Sequence, residues 1–263
     1  RAQVSVKNSP LRALQGLGFV VTRPADQAQA LVSLLEGHGA RALVFPAIEI
    51  RDVEDSTPFD ALIHRLHTFD AAIFISPNAA NKAMPAILAR RALPPAISIL
   101  AIGAGTASAL KRHGVNAVIV PPRYDSESLL DLPQLRDVEG MHIVIFRGVG
   151  GRALLGDALQ TRGALIEYAE CYRRVKPTAD VAPLTAAWAR REIDGVIVTS
   201  SEGLRNFHEM LGVDGQTALA ATPVFVPHPR IAATARELGL SAVVLTAQGD
   251  DAICAAIVQH YER

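Results

Sequence analysis

Seven short polar segments of the sequence have the residue types and the setting needed to bind an anion. Each follows a short apolar run and precedes a stretch of helical periodicity, so each is predicted to be a turn from a strand into a helix. A helix start offers unpaired backbone N–H groups and the positive end of the helix dipole, and an arginine can bind a carboxylate through two N–H groups. We therefore expect sites for several carboxylates or phosphates in the turns Thr22-Arg-Pro24, Ser76-Pro-Asn78, Gly103-Ala-Gly-Thr106, Asp125-Ser-Glu127, Arg147–Arg152, Thr199–Glu202 and Pro227–Arg230.

The candidate contacts in these turns are hydroxyl, amide and guanidinium side chains and two glycines that would let a ligand approach the backbone. Several of them also suit a purely structural role. Ser76 before Pro77 predicts a helix N-cap, Thr199 to Glu202 fits a capping box, and an arginine at a turn can be a solvated surface residue. The candidates are Thr22, Arg23, Ser76, Asn78, Gly103, Thr106, Ser126, Arg147, Gly148, Arg152, Ser200, Ser201 and Arg230.

Other reaction classes have weak support or none. Gly103-x-Gly105 and Gly148-x-Gly150-Gly151 suggest a dinucleotide turn, but neither completes GxGxxG with a ribose-binding acid. No GxxxxGK[ST] or GxSxG motif occurs, so neither NTP chemistry nor a serine nucleophile is indicated. His64-x-x-His67 has no third ligand nearby and is predicted to lie at the surface. The sequence therefore predicts no metal site and gives only weak support for a nucleotide cofactor.

The predicted turns belong to a pattern that occurs twice, 124 residues apart. Arg23 and Gly39 recur as Arg147 and Gly163, and Asp70–Ser76 recurs as Asp194–Ser200. The run 107–117 recurs one residue later, as 232–242. Two similar αβ segments predict two similar lobes, with a small molecule held in the cleft between them.

Apolar runs alternate with Ala- and Leu-rich stretches of helical period, which predicts an α/β fold with parallel sheets covered on both faces. Left-handed helix caps are expected at Gly39, Gly114, Gly163 and Gly239. The predicted strands are 17–22, 71–75, 97–102, 116–120, 142–146, 194–198, 223–226 and 242–246. The predicted helices are 25–38, 77–90, 104–113, 126–132, 150–162, 179–191, 201–211, 229–238 and 249–261.

Two extended segments, Ala42–Arg51 and Leu165–Lys176, interrupt the alternation at equivalent places in the repeat. We interpret them as crossings between the lobes, with connecting strands at about 42–50 and 168–175. The domains are then discontinuous, with residues 1–46 plus 174–263 in one and residues 47–173 in the other. A single break near Val138–Met141 is the competing division.

Composition limits the partners. The 26 basic and 26 acidic residues cancel, so no global field attracts nucleic acid or an anionic membrane, and an anionic ligand must be bound by local groups. No apolar run approaches the roughly 20 residues that span a bilayer. Cys171 and Cys254 form no CxxC pair, and residues 1–10 lack the apolar core of a signal peptide. We expect a monomer in the reducing cytoplasm, with residues 1–14 as a loose extension.

Seven motifs occur in order over most of residues 17–260. They are Val21-Thr-Arg-Pro24, Phe74-Ile-Ser-Pro-Asn78, Ala101-Ile-Gly-Ala-Gly-Thr106, Asp125-Ser-Glu127, Phe146-Arg-Gly148, Cys171-Tyr-Arg-Arg174 and Val198-Thr-Ser-Ser201. Together these motifs resemble the uroporphyrinogen-III synthase family. The sequence departs from the family at Pro227-His-Pro-Arg-Ile231, where many members have a Gly-Pro-Thr-Thr-like turn, so Arg230 would replace a threonine contact.

The resemblance implies two flavodoxin-like domains joined by a two-stranded antiparallel linker. It also implies a cofactor-free reaction in which hydroxymethylbilane, a linear tetrapyrrole with eight carboxylates, loses its terminal hydroxyl and closes with inversion of the last ring through a spiro intermediate. Tyr172 would assist hydroxyl departure, or else would only pack and hydrogen-bond near the hinge. Thr106, Ser76 and Ser200 would contact the acidic side arms.

Two other functions are compatible with the same turns. A non-catalytic, two-lobed protein that binds a small anion would need the cleft but no turnover. A nucleotide-dependent transferase would use the glycine turns.

Overall fold

The computed structural model describes residues 13–123 and 126–262. The chain divides into two compact units: unit 1 is Arg1–Glu49 with Val175–Arg263, and unit 2 is Ile50–Arg174. Each unit has a five-stranded sheet among its described residues, so the predicted α/β class is confirmed. The alternative break at Val138–Met141 lies inside unit 2 and does not separate compact units. Residues 1–12 of the expected extension lie outside the described residues. The expectation is wrong for Leu14, which is fully buried in the core of unit 1 because it packs there as an apolar side chain.

Strands and helices alternate along the described chain, with two 3-10 turns at Leu66–Thr68 and Pro133–Leu135. In chain order they are β1 (Gly18–Val21), α1 (Ala25–Gly37), β2 (Arg41–Val44), β3 (Glu49–Arg51), α2 (Thr57–His64), β4 (Ala71–Phe74), α3 (Pro77–Leu88), β5 (Ser98–Ala101), α4 (Ala104–Arg112), α5 (Ser126–Leu130), β6 (His142–Gly148), α6 (Leu154–Thr161), β7 (Leu165–Val175), α7 (Ala182–Ala189), β8 (Gly195–Ile197), α8 (Ser201–Ala220), β9 (Val224–Val226), α9 (Pro229–Glu237), β10 (Val243–Leu245) and α10 (Asp250–Tyr261).

The sheet of unit 1 has the order β2-β1-β8-β9-β10, and each pair of neighbours runs parallel. Numbered within the unit, this is the 2-1-3-4-5 order of flavodoxin-like folds. The sheet of unit 2 has the order β3-β7-β6-β4-β5, with parallel pairing from β7 to β5. Beyond β5, Ile119 forms a parallel bridge with Leu100.

The repeat explains why the two sheets agree. An offset of 124 residues matches β1 with β6, β2 with β7 and β4 with β8, and an offset of 125 matches β5 with β9 and Ile119 with β10. The order β7-β6-β4-β5-Ile119 is therefore the same 2-1-3-4-5 order. Each unit combines the first two strands of one repeat with the last three of the other.

A repeated aspartate joins the two halves of each sheet. In unit 1 the carboxylate of Asp194 accepts a hydrogen bond from the backbone N–H of Gly18 at 2.8 Å, and the Asp194 N–H donates to the Gly18 carbonyl at 2.7 Å. In unit 2 Asp70 and His142 form the same two bonds, both at 2.8 Å. Asp194 and Asp70 thus fix the register where strands of different repeats meet.

Both faces of each sheet are buried, as the continuous apolar runs predicted. In β1, Val20 packs into the core on one face, while Phe19 and Val21 pack into the core on the other. In unit 2, Phe74 and Phe146 stack with ring centroids 4.5 Å apart. Because both faces are covered, the polar groups of these strands reach solvent mainly at their ends.

Most predicted elements and all four glycine caps are confirmed, the caps with φ between +79° and +89°. The predicted strand 116–120 is wrong, since only the Ile119 bridge forms before Pro121 and Pro122. The helix predicted from residue 150 begins at Leu154 because Gly150, at φ +71°, prolongs the turn.

The predicted helix 201–211 matches the first helical segment of α8, whereas the second segment, 213–220, and helix α2 were not predicted. Gly212, at φ 63° and ψ −175°, is non-helical and divides α8 into these two segments. Helix α2 begins at Thr57 after the charged segment 51–55, whose polar character concealed the apolar face formed by Phe59, Leu62 and Ile63.

Removing the repeated aspartates tests the role assigned to them. Asp194→Ala leaves the part-buried Gly18 N–H without its charged acceptor and should lower the free energy of unfolding by about 1.5–3 kcal/mol. Asp70→Ala, whose bond to His142 is exposed, should cost less. Urea unfolding followed by circular dichroism measures both, with exposed Asp137→Ala as the control. Equal, negligible losses in all three variants would contradict this role.

An ion-pair network on unit 2 makes stability depend on pH. The hydrogen bonds of Arg65 hold the pKa of Glu167 below its usual 4.5, and His142 Nε2 lies 2.9 Å from the same carboxylate. A carboxylate whose pKa is lower in the folded state stabilises the fold at pH values above its unfolded-state pKa. This stabilisation is lost as the pH falls through the folded-state pKa. The stability difference between wild type and Glu167→Gln should therefore be full near pH 6 and shrink below about pH 4.5. A difference constant in urea unfolding from about pH 6 to pH 3 would refute this.

Candidate functional site

In each unit the parallel strands place the following helix starts along one edge of the sheet. We call the turns at the carboxyl ends of β1, β8, β9 and β10 the rim of unit 1, and those at the carboxyl ends of β4, β5 and β6 the rim of unit 2. In each sheet the order in which the strands follow one another changes direction at one point. This point lies between β1 and β8 in unit 1 and between β4 and β6 in unit 2. Open α/β sheets bind ligands at such switch points.

At the switch point of unit 1, Ser200 is the N-cap of α8. Its Oγ accepts from Gly203 N–H at 2.9 Å, and an added Cβ at Gly203 would lie 2.8 Å from that oxygen. The predicted capping box beginning at Thr199 is therefore wrong, because the cap is one residue later. The Thr199 hydroxyl instead accepts from Arg23 Nε at 3.3 Å.

The hydroxyl of Ser201 differs from its neighbours. Its Oγ is buried and has no hydrogen-bond partner among the described residues. It lies at the first position of α8, beside N–H groups that have no partner within the helix. The hydroxyl of nearby Thr22, in contrast, donates to the Ile197 carbonyl at 3.0 Å and is committed to the fold.

Arg23 is already paired with a carboxylate of the chain. Its Nη1 lies 2.5 Å from Asp250 Oδ1 in the first turn of α10, and its side chain is 17% exposed. Arg23 was expected to be free to bind a ligand carboxylate, but it is already paired with the carboxylate of Asp250. The guanidinium therefore links the ends of β1 and β8 to the start of α10.

Farther along the rim of unit 1, His228 is the N-cap of α9. Its Nδ1 accepts from Arg230 N–H at 3.1 Å, so the Pro-His-Pro turn caps its own helix. The Arg230 side chain is exposed, and its guanidinium has no partner within the described chain. Of the predicted cations of unit 1, Arg230 is the one open to a ligand.

On the rim of unit 2, Ser76 and Tyr172 are in contact. Ser76 is the predicted N-cap of α3, and its Oγ accepts from Ala79 N–H at 3.0 Å. The Tyr172 hydroxyl lies 3.0 Å from the same oxygen. Tyr172 is 2% exposed and belongs to the core of the unit, so its hydroxyl meets the start of α3 from inside. The adjacent Asn78 also takes part in an interaction within the chain.

The other turns of unit 2 differ in accessibility. Gly103 is the N-cap of α4, has an extended backbone that any residue could adopt, and is buried. Thr106 is 2% exposed, and its hydroxyl is buried in the first turn. Ser126 begins the five-residue helix α5. Asp125 of the same motif lies outside the described residues.

Arg147 is bound to its own chain more fully than the turn prediction implied. Its Nη1 donates to the Gly151 carbonyl at 3.0 Å, its Nη2 lies 3.1 Å from Glu170 Oε1, and its Cζ lies 3.6 Å from the centroid of the Tyr168 ring. The side chain is 12% exposed. Arg152, on the same loop, is exposed and has no ion pair with any described residue.

Unit 2 also has a cavity of about 620 Å³ next to this loop, lined by Phe59, Tyr168 and Val149 together with charged groups. Its two arginines are already paired, Arg147 with Glu170 and Arg173 with Glu54 at 2.7 Å. The cavity therefore offers no uncompensated cation to an acidic ligand.

The described residues provide little for other chemistries. No group of three or more His, Cys, Asp or Glu among them could hold a metal, and His64 and His67 are exposed as predicted. Burial raises the pKa of Cys171 to about 12, which makes it a poor nucleophile. No helix in the described part of the chain has the length and apolarity needed to cross a membrane.

Sequence reasoning missed the partners that decide which arginines are free. Asp250 and Glu170 neutralise Arg23 and Arg147, and Tyr168 covers the latter. The repeat could have indicated Asp250. Helix α10 follows β10 just as α5 follows Ile119, and at the same offset of 125 residues Asp250 corresponds to Asp125 in the sequence before α5. Glu170 could have been suspected only from the parallel register that pairs it with Arg147.

The fold and the rims define a two-unit, flavodoxin-like α/β protein whose helix starts suit an anionic ligand. A family model described as "Uroporphyrinogen-III synthase HemD" matches residues 29–252. The uroporphyrinogen-III synthase of Escherichia coli K12 is 32% identical over 92% of this chain and 100% of its own length, and that of Salmonella typhimurium LT2 is 33% identical over the same shares.

Solved structures agree with the fold. A mutant uroporphyrinogen III synthase from Thermus thermophilus superimposes with a TM-score of 0.62 at 21% identity, covering 94% of this chain and 98% of that one. The Helicobacter pylori enzyme gives 0.55 at 15% identity, covering 93% and 99%. The chain belongs to the uroporphyrinogen-III synthase family, which consists of cyclising enzymes of the lyase class in haem biosynthesis.

The adjacent serines at the start of α8 provide a matched pair of variants. Ser200→Ala removes the N-cap and should lower the free energy of unfolding by about 1 kcal/mol. Ser201→Ala removes a buried hydroxyl that has no partner among the described residues and should leave stability unchanged or slightly higher. Urea unfolding followed by the fluorescence of Trp188, the single tryptophan, reports on unit 1. A larger loss for Ser201→Ala would mean that its hydroxyl has a structural partner.

Proposed function

We infer that this chain converts hydroxymethylbilane to uroporphyrinogen III, closing the macrocycle with inversion of ring D and loss of water. The observation that carries this inference is the family match, which extends over most of both units at about one-third identity to two curated enzymes. A non-catalytic anion-binding protein is not favoured, because the match covers the full length of enzymes that have this activity by name.

We propose that the acidic side arms of the substrate bind to the helix starts of the two rims. A chain of zero net charge needs local donors to hold a polyanion, and both rims supply them as backbone N–H groups and hydroxyls. Ser201, Arg230 and Arg152 are the strongest candidates because none has a side-chain partner among the described residues. The other proposed contacts are Thr22, Arg23, Ser76, Asn78, Gly103, Thr106, Ser126, Gly148 and Ser200.

Within this set the geometry favours different kinds of contact. Ser76, Ser200 and Gly103 mark helix starts, where backbone N–H groups would do most of the binding. Thr22 and Thr106 are buried and would act through the backbone or after a local rearrangement. Arg23 would bind only by exchanging its present carboxylate partner, Asp250.

We propose that Tyr172 assists departure of the hydroxyl. Its phenol lies at the positive end of α3, hydrogen-bonded to an N-cap serine that itself accepts a backbone N–H. This contact holds the phenol oxygen at the helix start, from where it would donate a proton to the departing hydroxyl. Ring closure after water leaves needs the linear chain held in one shape, so most of the acceleration would come from positioning.

We further propose that the two units act as domains with boundaries near 46/47 and 173/174, in a monomeric cytoplasmic enzyme that needs no cofactor and binds no nucleic acid. The position of β3 beside β7 supports a ladder between residues 42–50 and 168–175. The free, buried thiols of Cys171 and Cys254 are compatible with a reducing compartment.

The direct test of the function is to supply hydroxymethylbilane to the purified protein and separate the cyclic products. The proposed activity gives the type-III isomer faster than spontaneous closure gives type I. If only type I forms, at the uncatalysed rate, the protein is not the enzyme. If substrate is bound without turnover, the non-catalytic alternative replaces it.

The role of Tyr172 predicts a separation of activity from stability. Tyr172→Phe keeps the buried ring and loses only the hydrogen bond to Ser76, so the free energy of unfolding should fall by about 1 kcal/mol. Turnover to the type-III isomer should fall by about a hundredfold if the phenol transfers a proton. A variant with wild-type kcat would remove Tyr172 from the chemistry.

A further inference from the structure

We propose that Arg147 is a positioning residue for Tyr172 and does not bind a substrate carboxylate. This inference rests on the proposed function, because it concerns how Tyr172 is held for the reaction. It differs from the expectation drawn from the turn motif, which placed Arg147 among the ligand contacts.

The first step is that the guanidinium of Arg147 fastens a loop. From the end of β6 it donates to the carbonyls of Gly151 and Arg152, at 3.0 and 3.4 Å, while Glu170 on β7 holds its other amino group at 3.1 Å. An added Cβ at Gly151 would lie 3.0 Å from Arg147 Cδ, so the loop backbone packs directly on the side chain. The loop 148–152 is therefore tied to β7 through Arg147.

The second step is that this loop packs against Tyr172. Gly148 faces Tyr172 across the irregular end of the β6–β7 pairing, and a Cβ at Gly148 would lie 2.8 Å from two carbons of the Tyr172 ring. The N–H of Val149 also donates to the Tyr172 carbonyl at 2.8 Å. The Tyr172 ring therefore packs directly on the backbone of Gly148, and the position of that backbone depends on the loop.

The third step is that two contacts fix the phenol end of Tyr172. Gly148 limits the ring on one side, and Ser76 Oγ fixes the hydroxyl 3.0 Å away at the start of α3. If the loop loosens, the ring gains freedom and the hydroxyl loses its alignment. Misplacement of a reacting group by about 1 Å can cost a hundredfold in rate. Loss of Arg147 should therefore lower kcat, whereas a substrate-binding arginine would mainly change KM.

The main variant is Arg147→Met, which keeps an unbranched stem over Tyr168 but loses every hydrogen bond. We expect kcat for type-III product to fall roughly tenfold to a hundredfold with KM within about twofold of wild type. Glu170→Gln keeps the size of the partner and removes its charge, so it should give a smaller change of the same kind. The control is Arg136→Met, an exposed arginine of unit 2 whose partner among the described residues is a backbone carbonyl, and it should change neither constant.

A double variant separates action through Tyr172 from independent action. In the Tyr172→Phe background, Arg147→Met should cause little further loss of kcat, because the group that it positions is already gone. Losses that multiply, or a rise in KM at unchanged kcat, would overturn the proposal. If Arg147→Met does not fold, Glu170→Gln supplies the same comparison.

A spectroscopic arm makes the result independent of turnover. With ¹³C-labelled tyrosine, the Tyr172 ring signal is assigned by its absence in Tyr172→Phe, and it should shift or broaden in Arg147→Met and Glu170→Gln but not in Arg136→Met. An unchanged Tyr172 signal would overturn the positioning role even if activity falls. If the Tyr172 signal shifts as expected but the wild-type protein makes no type-III product, the proposed function is wrong and the positioning role of Arg147 still stands.

Discussion

The parallel pairing of strands from different repeats is the constraint on which the rest of the structure depends. β1 is bonded to β8 in unit 1 and β4 to β6 in unit 2, and in each case a repeated aspartate fixes the register. Parallel strands send all their following helices out from one edge of the sheet. Once these two pairings form, the helix starts and capping serines of a unit lie on the same rim.

The electrostatic consequence is that backbone groups, more than arginines, are available to an anion. Arg23 and Arg147 are each neutralised by an acidic side chain of the chain itself. The zero net charge gives no long-range attraction, so binding would rely on short-range donors. Helix N–H groups suit a flexible polyacid because they are rigid and already oriented, and they cost no side-chain entropy when they bind. The two arginines would therefore hold the turns in place, and the backbone groups would bind the ligand.

The repeat made much of the architecture predictable from the sequence. Apolar runs marked the buried strands, glycine marked the helix ends at Gly39 and Gly163, and Ser76 marked a true N-cap. The capping box at Thr199 was wrong because either of two adjacent hydroxyls could cap the helix. Ser200 is the cap, and the Thr199 hydroxyl accepts from Arg23, which is distant in sequence. The partners of the arginines could not be predicted either, because those contacts join strands and helices whose pairing only the folded sheet defines.

Hydrogen exchange of the protein with and without the product uroporphyrinogen III, kept free of air, tests the central claim most directly. If the helix starts hold the acidic arms, amides in the first turns after residues 24, 76, 103 and 200 become protected in both units, while the amino ends of the strands do not change. Protection confined to one unit, or found mainly away from the rims, would contradict the account.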